Sequence, residues 1–184
     1  MSQAAKMQAK RGPKTGVGRR VGRRLPVGAE VQPGGGVAFR VWAPKRRSVT
    51  VLIQEGSAWD ASADTAIVEL EAEPGGYFAG VATDAGPGSL YRYRLDDGPD
   101  YPDPASRFQP DGPHGPSQVV DPDRFQWADA GWKGLKLKGQ VLYELHIGTL
   151  TAEGTWQAAA RELPALKELG ITAVEVMPVA EFPG

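Results

Sequence analysis

Between residues 25 and 97, apolar side chains recur at every second position in short runs, and Gly or Pro closes each run. In "GGVAFRVWAP", Val37, Phe39 and Val41 alternate with Ala38, Arg40 and Trp42. In "SVTVLI", Val49, Val51 and Ile53 alternate with Thr50 and Leu52. The runs "AIVELEAE", "YFAGVA" and "SLYRYRLD" follow, separated by Pro74-Gly75-Gly76 and Gly86-Pro87-Gly88 turns. Successive side chains of a strand point to opposite faces, so this period of two builds sheets with one apolar face each. Such sheets must pack face to face, and the spacing predicts an immunoglobulin-like β-sandwich of about seven short strands.

Residues 98–139 change character. Seven prolines fall between Pro99 and Pro122, and each fixes its own φ and disfavours helix before it. The segment also carries Tyr101, Phe108, Phe125, Trp127 and Trp132. Aromatic residues at this density predict an ordered strap over a surface, with no element of its own.

Residues 140–184 alternate in type again. Val141–Ile147 predicts a strand, and Thr155 an N-cap. A helix follows whose stripe is Trp156, Ala159, Ala160, Leu163, Leu166 and Leu169, stopped by Gly170. Pro164 falls inside that helix, where it should kink the helix or mark the start of a shorter one. "ITAVEVMPV" predicts a second strand, parallel to the first.

Composition narrows the function classes. The 184 residues are 41% hydrophobic and 23% charged, with no cysteine, which excludes disulfides and thiolate metal sites and permits a cytoplasmic home. Residues 1–24 hold eight Lys or Arg and no acid; the remainder holds 13 basic against 22 acidic side chains. An acidic globular part argues against nucleic-acid binding, so the basic stretch 1–24 is expected to be a flexible, solvated tail rather than an RNA-contacting arm. No apolar run approaches the roughly 20 residues that span a bilayer, so no membrane partner is expected. With two histidines, no metal site is expected, and no Gly-rich phosphate loop or other cofactor motif follows a strand.

The sandwich with "FRVWAP", the strap "YPDPASRFQPDGPHGPSQVVDP", and the stretches "LYELHIGTLTAEGT" and "LKELGITAVEVMPVAEFPG" together resemble the α-amylase superfamily of glycoside hydrolases. More narrowly they resemble its malto-oligosyltrehalose trehalohydrolases, over about residues 25–184. The resemblance implies a sandwich at residues 25–97, the strap at 98–139, and the first βαβ unit of an incomplete (β/α)8 barrel at 140–184. It implies an α-glucan partner, maltooligosyltrehalose, whose α-1,4 bond next to the terminal trehalose unit is hydrolysed. Such enzymes use an Asp nucleophile and a Glu acid/base, roughly 5 Å apart when configuration is retained. Those carboxylates belong to later barrel strands. No residue here matches them, so no catalytic residue is assigned and the chain by itself is expected to be inactive. A non-catalytic carbohydrate-binding module, or a branching or debranching relative, are the alternatives.

Three residues are candidates for substrate contact: His146, near the catalytic end of the first barrel strand, and Glu181 and Phe182, just past the second. Glu144 shares a face with His146 and is expected to be a structural buried polar residue. Glu175 sits mid-strand, too deep for a polymer to reach, so a Glu144–Glu175 catalytic pair is disfavoured. Trp42 and Trp59 could stack on sugars; packing between sandwich and barrel is the favoured role for Trp42.

Overall fold

The computed structural model describes residues 22–179. They divide into two compact units, 22–125 and 126–179.

The first unit is a two-sheet sandwich. Its strands are β1 (Gly28–Val31), β2 (Val37–Trp42), β3 (Val49–Gln54), β4 (Ala66–Glu69), β5 (Glu71–Glu73), β6 (Tyr77–Ala82), β7 (Leu90–Leu95), β8 (Asp100–Tyr101) and β9 (Ser117–Gln118). Sheet A has the order β1-β2-β6-β5; sheet B has the order β4-β3-β7-β8, with β9 also paired to β7. All these pairs are antiparallel. Seven strands fall between residues 28 and 95, as the alternation predicts.

The residues of one parity in each run form the core: Val37, Phe39 and Val41 from sheet A, and Val49, Val51, Ile53, Tyr91 and Tyr93 from sheet B. Phe39 meets Tyr91 edge-on across the sheets at 5.0 Å between centroids, and Tyr91 meets Tyr93 at 5.9 Å. Each such side chain contributes about 1.5–3 kcal/mol by leaving water. Leu70 carries the chain from sheet B into sheet A, between β4 and β5, with its N–H donating to Val49 O at 2.9 Å. Gly80 makes room for it. A Cβ there would lie 2.8 Å from Leu70 Cδ2, closer than any packed carbon tolerates.

The expected strap is divided. Its first part belongs to the sandwich, because β8 and β9 both extend sheet B at β7. A 3-10 turn, Pro122–Arg124, closes this unit. The rest, from residue 126, lies in the second unit. Tyr101, Phe108, Phe125, Trp127 and Trp132 are all exposed. What holds the strap is polar. Asp103 is only 3% exposed. It accepts from Tyr91 Oη at 2.8 Å and from the Ala105 N–H at 2.8 Å, and its own N–H donates to Ser117 Oγ at 2.9 Å.

The basic segment ends in the fold. Arg23 donates to Ala38 O, Gly28 O and Leu25 O. Arg24 donates through both its backbone N–H and Nε to the carboxylate of Glu30. The other residues expected in the tail, 1–21, lie outside the described residues.

The second unit contains β10 (Leu142–Leu145), a short helix α1 (Ile147–Leu150), α2 (Trp156–Leu169) and β11 (Ala173–Val176). β10 and β11 are parallel, so this is a βαβ unit as expected. Thr155 Oγ1 accepts from the Ala158 N–H, and Gly170 stops α2 at φ 99°, the left-handed cap that glycine adopts without Cβ strain. Pro164 lies inside the helix. The helix stripe is a correction: Ala158 and Ala159 are buried, whereas Trp156, Ala160, Leu163 and Leu169 are exposed, Leu169 by 76%. A two-stranded sheet offers too little surface to cover a 14-residue helix.

Two buried carboxyls make stability depend on pH in opposite directions. Burial raises the Asp103 carboxyl and outweighs the donors that lower it. Burial also acts to raise Glu30, but there the N–H and side-chain donors of Arg24, the Leu25 N–H and the nearby Arg23 win and hold it below the usual range. A lowered folded value means stability present above the unfolded value of about 4.3 and lost as pH falls through the folded one. Glu30→Gln is therefore expected to lose stability at pH 7 and to show a shallower acid limb than the parent. Urea midpoints measured between neutral and acidic pH check this; parallel acid limbs in the two proteins would refute it.

Candidate functional site

β3 and β7 turn their even-numbered residues to the outside of sheet B. There Leu52 pairs with Arg92 and Thr50 with Arg94. Arg94 forms a two-pronged ion pair with Asp100 on β8, at 2.7 and 2.9 Å. The Arg92 guanidinium lies 5.5 Å from the Trp59 ring centroid and donates to His114 O at 3.1 Å. Trp59 comes from the loop joining β3 to β4, and the position of that loop is fixed from below. Gln54, 4% exposed, donates through Nε2 to Asp60 O at 2.7 Å and Thr65 Oγ1 at 2.8 Å, and its Oε1 accepts from the Asp60 N–H at 3.0 Å. The result is a half-buried indole held over a cation, beside an ion pair. A pyranose has an apolar C–H face and a rim of hydroxyls, and this surface offers a partner to each. Sequence reasoning singled out Trp59 but missed Arg92 and Gln54. The one signal available was the arginine alternation in "LYRYRL", which reads as ordinary solvent-facing charge.

Trp42 is on the outward face of sheet A. Its ring is 60% exposed and its Nε1–H donates to Gly75 O at 3.1 Å. Opposite it on β6 stands Tyr77.

In the second unit, β10 ends at Leu145, two residues earlier than expected. His146 is the exposed residue before α1, and its carbonyl accepts from the Thr149 and Leu150 N–H groups. Its imidazole lies against Gly148, where a Cβ would meet Cε1 at 3.0 Å. His146 therefore sits at the C-terminal end of β10, but its ring belongs to a local turn. Glu144, expected to be buried, is exposed. It is the register partner of Glu175 on β11, so the two residues stand side by side on strands whose backbones run about 4.8 Å apart. Glu181 and Phe182 lie outside the described residues. Among the described residues no cluster of His, Cys, Asp or Glu could hold a metal ion, and no helix is long and apolar enough to cross a membrane.

Residues 26–114 match the model of carbohydrate-binding module 48, the isoamylase N-terminal domain. Malto-oligosyltrehalose trehalohydrolase of Deinococcus radiodurans is 46% identical over 162 residues, covering 88% of this chain and 25% of that protein. The enzyme of the same name from Saccharolobus solfataricus is 44% identical over 149 residues, covering 81% and 25%. The chain belongs, as an N-terminal part, to the malto-oligosyltrehalose trehalohydrolases. A crystal structure from Salmonella typhimurium named for an alpha amylase agrees in fold, with TM-score 0.76 and 42% identity over 86% of this chain and 26% of that one. The chain spans about a quarter of the length of the curated trehalohydrolases it matches. The module matched in 26–114 contains both the Trp59 surface and Trp42.

The Gln54 clamp gives a direct test of how Trp59 is held. Gln54→Ala removes three hydrogen bonds from a buried site, a cost of about 1–3 kcal/mol. Amide exchange in residues 55–65 is expected to accelerate while that of β6 stays unchanged. Unchanged exchange in the loop would show that Gln54 does not position it.

Proposed function

We propose that this chain is the glucan-holding and barrel-initiating portion of a malto-oligosyltrehalose trehalohydrolase, an enzyme of trehalose biosynthesis in the cytoplasm. The sandwich binds α-glucan through Trp59 and Arg92. Residues 98–139 connect it to residues 140–184, which begin the catalytic barrel. Within the whole enzyme, His146, Glu181 and Phe182 stand near the mouth of the barrel and contact maltooligosyltrehalose. The catalytic carboxylates are contributed by later barrel strands.

One observation carries this reading: the chain aligns at 46% identity across 88% of its length with a quarter of a trehalohydrolase. The carboxylates at hand agree with it. Glu144 and Glu175 are register partners on adjacent parallel strands, and a retaining pair must flank the scissile bond from two sides. They are neighbours in a sheet rather than walls of a cleft.

The second reading, a carbohydrate-binding module acting alone, is favoured by the fixed Trp59 surface, and the two can be told apart. Purified chain incubated with maltooligosyltrehalose is expected to release no trehalose, and catalytic turnover would sink the proposal. In an amylose-containing native gel the chain is expected to be retarded, and Trp59→Ala to be retarded less. Adding a separately produced remainder of a trehalohydrolase is expected to restore turnover only if the βαβ unit is a working part of the barrel.

A further inference from the structure

We infer that the outward face of sheet A carries a second α-glucan contact, built on Trp42 and the Arg40–Glu73 pair and lying on the sheet opposite to Trp59. It rests on the proposed glucan-binding role of the module and extends it to a separate surface.

The elements place these groups in one patch. Arg40 and Trp42 are two residues apart on β2, so they share a face about 6.6 Å apart along the strand. Tyr77 on β6 is the register partner of Trp42, and Glu73 on β5 is the partner of Tyr77. The Arg40 guanidinium lies 3.8 Å over the Tyr77 ring. Its Nε–H donates to Glu73 Oε2 at 2.7 Å and its Nη1 to Pro26 O at 2.5 Å. A guanidinium has five N–H donors, so it keeps donors for a ligand after both bonds are made.

The indole is equally fixed. Its N–H is taken by Gly75 O, which leaves the ring face as the group on offer. The turn supplying that oxygen cannot drift. Gly76 has φ 82°, a Cβ on it would lie 2.7 Å from Pro44 Cα, and its carbonyl accepts from the Ala43 N–H at 2.9 Å. Little rotamer freedom remains to be lost on binding.

The chemistry selects the ligand class. A lone exposed indole flanked by Arg40 and two carboxylates, Glu71 and Glu73, opposes an anion and gives little apolar area to a lipid. A neutral polyol with one apolar face satisfies all three groups: the ring stacks, the guanidinium donates and a carboxylate accepts. An α-glucan supplies such faces in series.

The test uses the full chain and maltoheptaose, read by the indole N–H signals in nitrogen–proton correlation spectra. Trp42→Ala and Trp59→Ala assign the two signals. The Trp42 signal is expected to move saturably, to move still in Trp59→Ala, and to require on the order of tenfold more maltoheptaose in Arg40→Gln. If the Trp59 signal moves while that of Trp42 stays still, the second contact is refuted and the proposed function stands. If neither moves, the glucan-binding role itself fails. A Trp42 signal that ignores maltoheptaose but broadens with protein concentration would assign this face to protein contact and overturn the inference.

Discussion

Tyr91 buries its phenol in the sandwich core, and the acceptor it finds there brings a whole segment with it. Tyr91 packs on Phe39 across the sheets, and its hydroxyl makes a buried hydrogen bond. Asp103 meets it there, and the same residue binds the Ala105 N–H and Ser117 Oγ. One residue, through its carboxylate and its backbone N–H, thus joins the core to both ends of the segment that contains β8 and β9. Those strands widen sheet B and bring the His114 carbonyl to Arg92. The Trp59 surface therefore depends on a contact in the interior of the protein. Burial raises the Asp103 carboxyl, so ionising it costs something. The donors that converge on it recover only part of that cost.

The period of two made much of this fold legible. Val37, Phe39, Val41, Val49, Val51 and Ile53 are in the core as their spacing requires. Gly170 ends α2 for the reason any left-handed cap does. The strap was not legible, because proline density speaks only to what the backbone avoids. β8 and β9 are two residues each, too short for any periodic signal, and their pairing is decided by Tyr91 and Asp103 at long range. The helix stripe was misleading for a different reason. Periodicity tells which side chains lie on one face and says nothing of what stands opposite. Leu163 and Leu166 line an open recess of about 560 Å³ together with Ile171 and Val174.

Of the candidate site, the aromatic half was visible and the charged half was not. Trp42 and Trp59 attract notice because tryptophan is costly to leave in water. Arg92 and Arg40 alternate with core residues exactly as solvated charges do, and only cross-strand register shows that each is brought to an aromatic ring. His146 was placed on a strand by its neighbours, yet the strand stops at Leu145. Its backbone turns there into α1, and the imidazole follows the turn.

The two units differ in how far they satisfy themselves. In the sandwich most levels agree: apolar parity inside, glycines where a Cβ would clash, and charged pairs across strands such as Arg40–Glu73 and Arg94–Asp100. In the second unit the levels conflict. Glu144 and Glu175, like charges, are in register, where opposition destabilises a sheet. Two strands stand where three or more are needed for independent stability. Leu142, Val174 and Val176 are exposed at strand positions. Conflicts of this kind mark places whose partners are not local. On the proposed reading they are a barrel's demands: carboxylates spaced for a ring of strands, and apolar faces cut to fit neighbours. A substrate pocket at the rim of many strands cannot be formed from a pair. On the same proposed reading the sandwich holds glucan by itself, while the βαβ unit acquires its function only from what closes around it.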